Sequence, residues 1–213
     1  NLRLDGGGVT NFINVTDIPS INISITGCTL SNGCYDSQTV GGAVYLNSIT
    51  NLTLSITNNT CNNITAFNNT EYYGGVIYIL TYNNGSTQAI NIGNNTFANN
   101  TDQQYAGVIY IFASDYANQS IVMGNNIFTN NSSEYGMYIY ADYGTNQSIC
   151  MGNNTFTNNS AQQYGGGVMT IGADDGSNQS VSMGNNTFTN NYAFQCGGVM
   201  RFIASIDSNQ SFD

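Results

Sequence analysis

The sequence predicts an all-β, right-handed parallel β-helix, a solenoid of about seven coils at roughly 31 residues per coil. Three observations carry that expectation. The segment Asn118 to Asn131 reads NQSIVMGNNIFTNN, returns over residues 146–159 and 178–191, and begins again at Asn209. A looser copy runs over 87–100, and weaker ones over 52–63 and 21–32. A second phrase, a glycine pair before an apolar run, puts its second glycine at 8, 42, 75, 107, 136, 167 and 198, a step of 29 to 34 residues. Finally, apolar residues alternate with period two, as in Ile121 and Met123 or Ile109 and Ile111, which is the period of a strand.

Each element of a coil has its own local reason. Asn, Gly, Ser and Asp between the phrases are turn residues, and no sustained i, i+3, i+4 pattern favours a helix. One coil of short strands cannot bury its inner face, whereas stacked coils form a continuous core. Stacking at about 4.8 Å would pile Phe97, Phe128, Phe156 and Phe188 into one inward column, continued by Cys61 and Leu30. The pairs Asn94-Asn95, Asn125-Asn126, Asn153-Asn154 and Asn185-Asn186 would form an amide ladder at a turn. Residues 1–213 read as a single repeat domain, a mature form or segment of a longer precursor, since the chain opens at Asn1 and stops inside a repeat at Asp213.

The motifs FTNN and GGVI resemble the F-x-x-N and G-G-A-[ILV] motifs of the polymorphic outer membrane protein repeats. The likeness runs from about Gly7 to Ser211. It implies a right-handed parallel β-helix of the pectate-lyase-like kind on a cell surface, serving adhesion and surface display. Ala106-Gly107 and Tyr135-Gly136 break the glycine pair, and Leu30 and Cys61 stand where the motif has Phe. No C-terminal membrane barrel, such as some family members carry, is visible.

Composition narrows the function classes. Two Lys plus Arg against twelve Asp plus Glu give a net charge of −10, and only 7% of residues are charged. That balance excludes counterion-release binding to nucleic acid and a polybasic hold on lipid. With no His, imidazole triads and zinc sites are excluded too. No apolar stretch is long enough for a membrane span, so direct membrane insertion is not expected. Asn contributes 36 residues and Ser plus Thr 41, so amides and hydroxyls do the solvating.

Sequons are abundant. Asn-x-Ser/Thr occurs at Asn14, Asn22, Asn51, Asn58, Asn63, Asn68, Asn84, Asn94, Asn99, Asn118, Asn130, Asn131, Asn146, Asn153, Asn158, Asn178, Asn185 and Asn209. Asn58, Asn94, Asn153 and Asn185 fall in the expected amide ladder, where the motif serves the fold without sugar. Asn118, Asn146, Asn178 and Asn209 lie at the end of a polar loop from which a glycan could project. With Asn99, Asn130, Asn158, Asn84, Asn68 and Asn14 they are the candidate glycan acceptors, which places the chain outside the cell or on its surface.

Three further features are candidates for chemistry. Asp115, Asp142, Asp174-Asp175 and Asp207 precede the NQS phrase; calcium is a possible ligand of Asp115, Asp142, Asp174 and Asp207, against solvated loop acids as the alternative. Tyr45, Tyr78 and Tyr110 share one register, continued by Asn11, Ile139, Thr170 and Arg201. The alternation faces them outward, either toward a sugar or partner surface or beneath a loop. Among five cysteines, Cys28 could pair with Cys34 or with Cys61, or the thiols are buried small hydrophobes; Cys150 and Cys196 occupy different phases of the repeat.

β-Helices also host pectin lyases and galacturonases, but the acid/base constellation those enzymes use is missing from the motifs. The only bases, Arg3 and Arg201, lie at opposite ends, and the adjacent Asp174 and Asp175 would point to opposite faces of a strand. The reading that results is a non-enzymatic, N-glycosylated, extracellular structural or adhesive β-helix without a resident cofactor. Its expected partners are its own glycans and further copies stacked head to tail. The alternative is a carbohydrate-binding or carbohydrate-cleaving surface domain that uses the tyrosines and acidic loops.

Overall fold

The computed structural model describes residues 2–9, 13–31, 34–35, 43–47, 49–66, 75–82, 84–102, 106–162, 168–195 and 198–213. Among them there is no helix; all strands are parallel and stack as a β-solenoid of about five turns, roughly 31 residues each. The seven repeat units reappear as seven strands of one sheet, from Ile13–Thr16 through Ile77–Thr81 and Ala106–Ala113 to Met200–Ala204, here called the Tyr face. A long face stacks Ser20–Ser31, Asn51–Thr57, Thr87–Gly93, Asn118–Gly124, Asn146–Gly152, Asn178–Gly184 and Asn209–Phe212. A Phe face stacks the three-residue strands Thr60–Asn62, Thr96–Ala98, Ile127–Thr129, Thr155–Thr157 and Thr187–Thr189. Ser20–Ser31 runs through both and joins them into one sheet of 13 strands, with Leu2–Val9 at its edge. A third, short sheet contributes six two-residue strands.

The repeated GNNxFxNN phrase builds two corners per coil. The first asparagine of each pair takes a left-handed backbone, φ 56° to 59° at Asn58, Asn94, Asn125, Asn153 and Asn185, and 53° to 56° at Asn63, Asn99, Asn130, Asn158 and Asn190. Asparagine tolerates that conformation better than other residues with a side chain, so it can end one strand and redirect the chain. The second asparagine then points inward. Asn126 is representative. Its Nδ2 donates to the Ile92 carbonyl at 2.7 Å and to Asn154 Oδ1 at 3.0 Å. Its own Oδ1 accepts from the backbone N–H and the Nδ2 of Asn95, both at 3.0 Å. Every hydrogen-bonding valence of the buried amide is thereby used, which is what makes its burial tolerable.

The expected ladder is therefore real, but only the second member of each pair forms it: Asn59, Asn95, Asn126, Asn154 and Asn186. A second ladder, not anticipated, runs through Asn100, Asn131, Asn159 and Asn191. A third links the inward amides of Gln88, Gln119, Gln147, Gln179 and Gln210 at 2.5 to 2.7 Å. Between the two asparagine ladders stand the expected phenylalanines, with ring centroids 4.7 to 5.0 Å apart. Cys61 and Leu30 continue their column in register.

Candidate functional site

Of the two alternatives left open for the Tyr face, the structure has the covered one. Tyr45, Tyr78 and Tyr110 share a register, but they are only 4%, 0% and 5% exposed. They stack at 4.9 to 5.1 Å in a second apolar cluster with Leu80 and Ala106. Alternation identifies the residues that share a face; it does not establish that the face meets water. The row continues through Tyr138, stacked on Tyr110 at 5.2 Å, and not through Ile139, which joins the inner core. A register shift between Ala106 and Tyr110 displaces the strand that begins at Gly136, so counting from the glycine misplaces the row there. Thr170 and Arg201 follow as expected, while Asn11 lies outside the described residues. No ligand reaches a buried ring stack, so this row is a packing element.

The four candidate calcium aspartates do not form one column. Backbone bonds from Asp142 to Ala113 and from Asp174 to Ala141 stack Asp142 and Asp174. Asp115 falls one residue further along its coil, level with Tyr143, and Asp207 is level with Gly176. Among the described residues, no three metal-ligating side chains converge. The carboxylates do sense one another. Burial raises the Asp142 pKa, the Tyr143 N–H at 2.9 Å opposes that, and Asp175, Asp174 and Asp115 raise it further. Tyr140, half-buried beside this group, is pushed up to about 12, first by burial and then by Asp174 and Asp142.

Sequon asparagines divide by geometry. Asn84, Asn99, Asn118, Asn130, Asn146, Asn158, Asn178 and Asn209 are all exposed. Asn118, Asn146, Asn178 and Asn209 start successive strands of the long face and chain together, each Nδ2 donating to the preceding Oδ1 at 3.1 to 3.4 Å. Asn99, Asn130 and Asn158 do the same at 3.2 Å. Asn58, Asn94, Asn153 and Asn185, assigned from sequence to the ladder, are instead exposed at their left-handed corners. Asn131, a sequon residue, is the one in a ladder. Asn68 and the Asn14 side chain lie outside the described residues.

Of the cysteines, Cys61 is a buried free thiol, so it does not pair with Cys28. Burial, and Cys28 next to it, push its pKa up to about 12. Cys150 is exposed, while Cys196 and the Cys34 side chain lie outside the described residues.

The feature that sequence reasoning missed is a groove of about 640 Å³ on the long face, lined by the first three residues of five successive strands. Asn118, Gln119 and Ser120 and their copies at Asn146, Asn178 and Asn209 form most of it. It is uncharged, and its polar groups repeat once per coil. The signal was present in the recurring NQS phrase, but a strand pattern does not reveal concavity.

The last coil differs from the interior ones. Phe194, Phe202, Ile206 and Phe212 are exposed there, and Phe188 and Met183 are only partly buried. Asn186 and Asn191 accept from Asn154 and Asn159, but unlike those residues they donate to no further coil among the described residues. No helix among the described residues is long and apolar enough to cross a membrane. Compared with known proteins, the chain matches no family model, no curated protein and no solved structure.

Proposed function

We propose that this chain is an extracellular structural or adhesive solenoid, of the kind its likeness to the polymorphic outer membrane protein repeats implies. On this reading it carries N-glycans on the exposed Asn118, Asn146, Asn178 and Asn209 row and on Asn84. The observation that carries the reading is the combination of three internal amide ladders with a chain in which only 7% of residues are charged. Such a body is stiff along its axis and depends on neutral polar groups for solubility, a role glycans strengthen. Neighbouring acceptors in the row are one coil apart, about 4.8 Å, which is narrower than a glycan, so sugar sits on alternate coils. Further copies stack on the exposed edge of the last coil, where Phe202, Phe212 and the ladder asparagines present an open parallel edge.

The first experiment is electron microscopy of the native material before and after enzymatic glycan release. Filaments whose axial repeat matches the stacked coils, with density projecting from the long face, are expected. Isolated bare particles would remove both the stacking and the glycan parts of the proposal.

One observation favours a second reading: the uncharged groove on the long face suits a neutral linear carbohydrate lying along the axis. The tyrosines no longer belong to that reading, because they are buried. Glycan-array binding that survives Tyr78→Phe but disappears with Ser148→Tyr would favour it over the purely structural role.

A further inference from the structure

The outward side of the Phe face carries two uncharged rows rich in threonine. Thr96, Thr155 and Thr187 occupy one row, and Thr129, Thr157 and Thr189 the other, flanking the buried phenylalanine of each strand. Beneath them the ring planes turn by only 12°, 6° and 4° from coil to coil. The coil spacing, read from the same rings, is 4.7 to 5.0 Å. The two rows lie about 6.6 Å apart along the strand.

No threonine hydroxyl of the six bonds to protein among the described residues, and no charged side chain stands in either row. Ile127, 45% exposed, interrupts the first row, and Ala98 and Asn62 continue the second beyond Thr129 without a hydroxyl. The long face differs, because its outward asparagines bond to one another and spend their amides on the protein.

From this we infer that the Phe face is an ice-binding surface, a site that takes the ordered water of a hexagonal ice crystal. The coil spacing is close to the shorter oxygen repeat on the prism faces of ice. Methyl groups in fixed ranks order the water above them, and the hydroxyls anchor that water by hydrogen bonds. A charge would hold water in its own radial shell and break the match, and the face has none. The inference needs the bordering corners Asn99, Asn130 and Asn158 to be free of sugar, and it is independent of glycans on the long face.

The test is growth of single ice crystals in a solution of the intact chain, with thermal hysteresis and partition into the growing ice as readouts. Faceted crystals, a hysteresis gap and enrichment in the ice are expected. Thr157→Tyr, which places a ring between Thr129 and Thr189, abolishes all three, while Val122→Tyr on the long face leaves them unchanged. Matching circular dichroism and melting curves for both variants show that the fold is intact. Unshaped crystals with the protein excluded like an inert globular protein would overturn the inference, as would full activity in Thr157→Tyr. Binding to crystalline cellulose or chitin without ice shaping would overturn it in favour of a solid polysaccharide.

Discussion

The Phe face and the Tyr face both stack aromatic rings one coil apart, yet only the first keeps an unbroken register. From the strand start to the second ladder residue the chain always takes thirteen residues: 51 to 64, 87 to 100, 118 to 131, 146 to 159 and 178 to 191. Successive coils nevertheless differ in length, with ladder steps of 36, 31, 28 and 32 residues. All of that variation falls between the second ladder and the next strand of the long face, the segment that includes the Tyr face. A residue inserted between two amide ladders would displace one of them and orphan buried donors and acceptors. On the Tyr side no ladder polices the spacing, and there the register shift between Ala106 and Tyr110 is accommodated by the packing of rings.

Removing a ladder amide breaks this comparison most directly. Asn126→Leu takes away the acceptor of the Asn95 N–H and of one Asn95 Nδ2 hydrogen, whose other stays on the Ile56 carbonyl, and the amide donor to the Ile92 carbonyl, all in a dry interior. With three stranded groups the loss is about 3–6 kcal/mol, a large share of a domain's total stability. Urea unfolding monitored by circular dichroism is expected to show the midpoint falling accordingly, with an unfolded chain as the extreme result. An unchanged midpoint would mean that the ladder does not set the register.

The next effect separates the two ring stacks. Phe128→Ala and Tyr110→Ala each empty a buried aromatic site, a change that costs about 3–5 kcal/mol. Phe128 stands between Asn126 and Asn131, whose ladders hold the walls apart, so its cavity persists and the loss lies at the upper end. The Tyr face can shift to close around a smaller side chain, which puts Tyr110→Ala at the lower end. Equal losses in parallel denaturant titrations would show that the Tyr face is as rigid as the ladders.

That contrast also explains what could be read in the sequence. The fold was legible because identical residues stack on identical residues: the phenylalanine column, the glycine spacing and the period-two strands each repeat in the letters. The ladder was legible as a pair but not as a choice between Asn125 and Asn126, since only the backbone angle decides which one turns inward. Tyr78 was placed in the right row, but the sequence left open whether that row meets water, because alternation within a strand does not say what packs against its outer side. The groove is a property of surface curvature, which a one-dimensional pattern does not contain.

A smaller effect tests the corners themselves. Asn125 sits at φ 57° with its side chain exposed, so it contributes backbone geometry and little contact. Asn125→Ala is expected to cost about 1–2 kcal/mol, while Asn125→Gly stays near neutral because glycine has no Cβ to clash. Thermal melts of the two variants check this; equal losses would trace the effect to the missing amide and not to the left-handed corner.

The smallest effect belongs to the Tyr side and appears only in alkali. Tyr140 packs over Gly172, where a Cβ would come within 2.2 Å of the ring, and its phenol faces Asp174 at 3.5 Å. Burial and the neighbouring carboxylates oppose a phenolate there, raising the pKa from 10.0 to about 12. The folded state therefore holds the phenol proton more tightly than the unfolded chain does. The resulting stabilisation is complete below pH 10 and is lost as the pH rises from 10 toward 12, where the unfolded chain ionises first. Tyr140→Phe has no proton to lose, so its stability should fall less steeply over that window than that of the parent chain. Cys61, raised from 9.0 to about 12, adds a slope of the same sign that both proteins share. Urea midpoints at pH 9 and 11 for the two proteins measure the difference. Parallel curves would show that Tyr140 is wetter than its packing over Gly172 implies.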